Sequence, residues 1–197
     1  MKNRPSVVFR SLSLVLIIVG LSGCQSMEPT SSPAHDNYNS LNQGYGLLFD
    51  LMGDEKNVSK LLIIKREREE LNTLIKEIAH ACNEAHKQLE KMDKSDPALD
   101  MKNRGLPYYE VKSREAIAKT KGKQLLTEKG KDFELHLLLS QNEALTYGYH
   151  LAGVLRVGES NPERARFLEE LSVQLEKLQG RVVAMLLTNY SWQPDKR

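Results

Sequence analysis

"LNTLIKEIAHACNEAHKQLEKM", residues 71–92, decides the fold. Leu71, Ile75, Ile78, Cys82, Ala85, Leu89 and Met92 recur at alternating steps of four and three. That interval places small and apolar side chains on one stripe of an α-helix and leaves the charges on the other faces. The helix ends over Lys94 to Pro97, because proline cannot continue the hydrogen-bond ladder. A single amphipathic helix is marginal in water, so the stripe demands partners.

Two partners are legible further along. Leu168, Leu171, Leu175, Leu178, Val182 and Met185 step 3-4-3-4-3 along a last helix. Its start, Ser160-Asn161-Pro162-Glu163, combines capping-box spacing with a proline whose missing N–H is harmless in a first turn. Between them, Phe133, Leu137, Ala144, Gly148, Leu151 and Leu155 line one side of a helix over about 132–156, and Ala144 and Gly148 admit a close neighbour. Three apolar stripes can be buried only against one another, which predicts an all-α bundle.

The segment 108–128 is weaker, with Val111, Ala118 and Leu125 spaced seven apart. It reads as a partly exposed helix after a loop containing Pro97, Gly105 and Pro107. Before residue 71 the pattern leaves two readings open. One helix over 54–92 would be about 58 Å long, against about 38 Å for 132–156 at 1.5 Å per residue. A break within the wholly polar Lys65-Arg66-Glu67-Arg68-Glu69-Glu70 would instead give helices of matching length over 46–66 and 70–92.

The other end of the chain answers where the bundle is held. Lys2, Arg4 and Arg10 form a basic start, Leu12 to Gly20 an apolar core, and Ser22-Gly23 a small-residue cleavage site. The apolar run is about half the 20 residues a membrane span needs. Leu21-Ser22-Gly23-Cys24 resembles a bacterial lipoprotein lipobox. That resemblance implies a diacylglycerol on Cys24, cleavage before it and acylation of the new amine. Several acyl chains hold a membrane stably where one does not. Gln25 rather than Asp follows, which by the family's sorting rule implies the outer membrane in a Gram-negative source, facing the periplasm, and the cell membrane otherwise.

Composition agrees. The formal charge of +2 misleads, because three of the 28 Lys and Arg lie in that acid-free leader. The remaining 25 face 26 Asp and Glu, which gives no electrostatic reason to expect nucleic acid. With Cys24 acylated, Cys82 is left alone and no internal disulfide forms. The expected organisation is a signal peptide over 1–23, the lipidated Cys24 and a flexible tether over 24–45, a helical domain over 46–190 and a tail over 191–197.

"LIKEIAHACNEAHKQLEKM" (74–92) and "KDFELHLLLSQNEALTYGYHLA" (131–152), with the last helix, resemble a family of secreted bacterial ferritin-like bundles without an assigned function. The resemblance spans roughly residues 46–188. It implies a ferritin-like four-helix bundle with an additional helix in the long central connection, and it favours the break near 65–70. Where the family typically carries a histidine on each of three helices, this chain has Cys82, Asn142 and Lys177. No histidine site is implied here.

Candidate chemistry is sparse. Glu77-Ile-Ala-His80 has the Glu-x-x-His spacing of di-iron bundles, but at 100° per residue His80 points away from the stripe and Glu77 lies about 120° off it. His136, Glu143 and His150 form a stripe spaced by seven. Neighbours in it are about 10.5 Å apart, so they chelate a metal only with help such as His86 from another helix. Cys82 sits in the apolar stripe and reads as a packing residue. No phosphate loop, nucleophile elbow or HExxH occurs, so no cofactor and no enzyme activity are expected.

Lys119, Lys121, Lys123, Lys129 and Lys131 form a local basic run suited to anionic envelope polymers or headgroups. Tyr190-Ser191-Trp192 either anchors an envelope partner or covers the open end of the bundle. The sequence therefore points to a membrane-anchored envelope lipoprotein that acts by binding, through Lys119, Lys121, Lys123 and Trp192. The alternative is a ferritin-like metal-binding or oxidoreductive protein using His86, His136, Glu143 and His150.

Overall fold

The computed structural model describes residues 33–65, 67–102 and 104–190. The expected signal peptide, Cys24 and Trp192 lie outside them. The described residues are all-helical: α1 (Pro33–Glu55), a 3-10 turn (Val58–Lys60), α2 (Leu61–Ile64), α3 (Glu69–Ser95), α4 (Tyr108–Thr127), α5 (Gly130–Gly158) and α6 (Pro162–Tyr190). Helix α1 packs against α3 and α5, α6 packs against α5 and α3, and α4 rests on α5. Four long helices thus close around one core, with α4 outside it. None of the described helices is long and apolar enough to cross a membrane.

The stripe of 71–92 is buried at every one of its seven positions, and the stripe of α6 from Leu168 to Val182 is buried throughout. Asn161 caps α6, its Oδ1 accepting from the backbone N–H of Glu163 (2.9 Å) and Arg164 (3.2 Å), with Pro162 as the first helical residue. The cap is therefore Asn161, one residue later than the capping-box spacing from Ser160 suggests.

Helix α5 buries four of its six expected inward positions, Phe133, Leu137, Gly148 and Leu155, while Ala144 and Leu151 are only partly buried. Glu134, Leu138, Gln141, Leu145 and Ala152 are buried as well and, with Gly148 and Leu155, form a regular 4-3-4-3-4-3 seam. Two polar residues on the seam disguise it. Gly148 does admit close neighbours: a Cβ there would sit 3.0 Å from Leu175 Cδ1 and 3.1 Å from Leu51 Cδ2.

The tether boundary is corrected too. Residues 33–45 belong to α1, and Asn42 and Tyr45 are buried. Their polarity, which suggests a solvated linker, is spent on distant partners. Asn42 Nδ2 donates to Ala98 O at 3.0 Å, its Oδ1 accepts from Asp100 N at 3.3 Å, and the Tyr45 hydroxyl donates to Glu159 Oε2 at 2.6 Å. Pro33 opens the helix where proline is tolerated.

Of the two readings for 54–92, the chain takes the broken one: α2 ends at Ile64 and α3 begins at Glu69, so the expected break within 65–70 is present, and a second interruption, between Glu55 and the 3-10 turn at Val58–Lys60, ends α1 earlier than expected. Lys65 and Arg68 are extended, and Arg68 precedes the first residue of α3 instead of lying on its stripe. Arg68 grips the buried carboxylate of Glu134, Nε to Oε2 at 3.2 Å and a terminal nitrogen to Oε1 at 2.5 Å.

Candidate functional site

Helix α4 is the least buried long element: of its 20 residues only Leu125 is buried. Its inner edge, at 111, 114, 118, 121 and 125, holds small apolar groups and charges that reach to other helices. Lys121 pairs with Glu143 of α5, and the Arg114 guanidinium lies 5.9 Å from the Tyr147 ring centroid. Arg104, in the loop before α4, pairs with Asp50 of α1. At the far end, Lys65 Nζ donates to the carbonyls of Leu126 (2.9 Å) and Glu128 (2.5 Å), placing a cation at the negative end of the helix. Polar contacts rather than a greasy seam keep α4 in place.

The opposite face carries Tyr109, Ser113, Ala116, Thr120 and Lys123, all exposed, with Lys119 beside them. The three lysines singled out in the sequence separate here. Lys119 and Lys123, four residues apart, face solvent with no ion-pair partner among the described residues, while Lys121 is turned inward to Glu143. Lys129 and Lys131 are exposed just beyond the helix.

The histidines do not converge. His86 stacks on Phe49 with centroids 4.2 Å apart and meets Lys56 Nζ at 3.3 Å; burial and the charge of Lys56 hold it below the ordinary histidine range. His136 Nδ1 meets Glu128 Oε2 at 2.6 Å, Glu143 is taken by Lys121, and His150 lies against Tyr149 with centroids 4.1 Å apart. Among the described residues no three His, Cys, Asp or Glu side chains are grouped to hold a metal ion. His80 is exposed and Glu77 pairs with Arg181 of α6, so the Glu-x-x-His pair faces outward.

Beneath α4 the core contains a polar layer that no spacing in the sequence marks. Glu55 ends α1 on its seam, after Tyr45, Leu48 and Met52. Gln141, 2% exposed, donates from Nε2 to Glu55 Oε2 at 2.8 Å. Cys82 of α3 lies in the same region, its thiol pushed up chiefly by burial, which makes it a packing group rather than a nucleophile. Asn142, the second position that departs from the family's histidines, accepts a hydrogen bond from Gln179 Nε2 at 2.8 Å and ties α5 to α6; Lys177, the third, is exposed.

Clefts open between α3 and α6 at both ends. One, of about 530 Å³, is lined by Met92, Ser95, Asp96, Arg164 and Phe167; the other, of about 620 Å³, by Arg68, Leu74, Arg181, Met185 and Thr188. Three arginines that line them are already paired: Arg164 holds Asp96 and Glu159, Arg68 holds Glu134, and Arg181 holds Glu77.

No protein-family model, no curated protein and no solved structure matches the chain.

Proposed function

We propose that the chain is an envelope lipoprotein, anchored through acylated Cys24, whose ferritin-like bundle acts by binding and not by catalysis. In a Gram-negative source it sits on the outer membrane facing the periplasm. The contact surface is the outer face of α4, and its partner is an anionic, phosphate-bearing envelope surface.

One observation carries this reading: a 20-residue helix that buries only Leu125 holds Lys119 and Lys123 exposed and, among the described residues, without ion-pair partners. Lysines four apart on a helix share a face. Each lysine near an anionic surface contributes about 1 kcal/mol at low salt, so a few acting together give weak, salt-sensitive docking, useful to a protein already held nearby. Trp192 remains a candidate second anchor in this reading.

Two measurements test it. Labelled palmitate should enter the full-length chain and not a Cys24→Ala variant. The soluble domain should sediment with vesicles rich in anionic phospholipid but not with zwitterionic ones, and a K119E/K123E variant should lose most of that binding. Equal sedimentation of variant and wild type would remove α4 as the contact surface; absent palmitate would remove the anchor.

A further inference from the structure

The polar layer at Glu55 and Gln141 is one hydrogen bond short. Gln141 is 2% exposed and its Nε2 donates to Glu55 Oε2 at 2.8 Å, yet its Oε1 is buried with no hydrogen-bond partner. Buried amide oxygens are nearly always satisfied, because a lost hydrogen bond to water has to be replaced. Turning the amide over does not help. Its oxygen would then face a carboxylate oxygen at 2.8 Å, a distance at which one of the two must bear a hydrogen.

We propose that below neutral pH Glu55 is held as the neutral carboxylic acid, its O–H donating to Gln141 Oε1, so that acid and amide close a ring of two hydrogen bonds between α1 and α5. The bundle thereby binds one exchangeable proton at the edge of its core, and losing that proton leaves a charge on half-buried Glu55 and an unsatisfied oxygen on buried Gln141.

The surroundings favour the neutral form. Burial pushes Glu55 up, the hydrogen bond from Gln141 opposes this, the Asp54 charge on the same helix adds to the rise, and Lys121 from α4 opposes it; the result is about 7. Lys121 is a weak counter-ion because its ammonium pairs with Glu143 of α5. From α3 the neighbour is Cys82, a neutral thiol that offers no positive charge. Position matters as well: Glu55 is the last residue of α1, where the negative end of the helix dipole disfavours a carboxylate.

The sign follows from linkage. An acid raised above its unfolded value contributes stability at pH below that unfolded value and loses it as pH rises through the folded value. From about pH 5 to about pH 8 the Glu55 proton alone should lower the folded-to-unfolded ratio roughly 70-fold.

The test is a carbon-detected NMR titration of the full chain, with the Glu55 carboxyl assigned through the backbone. It is paired with urea melts of wild type and Glu55→Gln across that pH range. The amide introduced by this substitution supplies both a donor and an acceptor to Gln141, so the variant mimics the protonated state. The proposal expects a Glu55 midpoint near 7, and a wild-type folding ratio that falls tens-fold more than that of the variant. A Glu55 midpoint in the ordinary carboxylate range overturns it, whether or not the variant folds. Equal pH slopes in the two proteins also overturn it.

Discussion

Helices α4 and α5 are consecutive in the chain and separated by two residues, yet they are held by different physics. Helix α5 buries nine of its 29 residues and touches α1, α4 and α6; α4 buries one of its 20. The first is a strut whose helical state is fixed by the core. The second is a surface helix kept in place by ion pairs, a ring contact and a lysine on its last carbonyls, interactions worth about 0–1 kcal/mol each when exposed. A bundle can therefore carry a binding helix that exchanges partners without disturbing the core.

The contrast can be broken most sharply at the end of α5. The Glu159 side chain is fully buried and gathers Tyr45, Arg164 and the Asn161 backbone N–H, at 2.6, 2.8 and 2.7 Å. Glu159→Ala leaves the Tyr45 hydroxyl without its acceptor and Arg164 with Asp96 alone, and should lower stability by about 3–5 kcal/mol in urea melts. Burial pushes this carboxyl up, but the hydrogen bonds from Arg164 and Tyr45 outweigh it and hold Glu159 below its ordinary range. A lowered acid contributes stability above its unfolded value and loses it as pH falls through the folded one. Wild type should thus lose a Glu159 contribution on the acid side, and the variant should melt with a flatter acid limb. Glu55 has the opposite sign.

Next in size is Leu137→Ala, in the fully buried heart of α5, expected to lower stability by about 3 kcal/mol through lost burial and a residual cavity. On α4, Leu125→Ala should cost about 1–2 kcal/mol. The accompanying loss of amide protection should be confined to α4, and loss across α5 would mean the two helices are one cooperative unit. Ile117→Ala, at 53% exposure, should fall within about 0.5 kcal/mol of wild type. Raising the salt concentration should speed hydrogen exchange in α4 and leave α5 unchanged; equal acceleration in both would refute an electrostatic attachment.

The helices also differ in how much of them was legible beforehand. The seam of α3 and most of that of α6 could be read from spacing because every position is small or apolar. The buried face of α5 could be read only in part, through Phe133, Leu137, Gly148 and Leu155, because two of its positions are Glu134 and Gln141. A polar side chain enters a core only when another part of the chain completes its hydrogen bonds. Those partners, Arg68 and Glu55, are 66 and 86 residues away in sequence. The start of α1 was obscured for the same reason: Asn42 and Tyr45 look like linker residues until Ala98, Asp100 and Glu159 are in reach. Of the candidate site, the basic run was visible, but which lysines face outward was not; the phase of α4 against α5 sets that.

Apolar periodicity alone determined that this chain is helical and that its stripes must meet, because removal of methyl and methylene groups from water depends on local spacing and needs no particular partner. Tertiary structure alone decided which polar groups go inside, where α1 begins and ends, and which lysines turn outward. Those outcomes rest on directional hydrogen bonds and charge pairs between residues far apart in sequence, and a buried polar group is stable only once its specific partner has arrived.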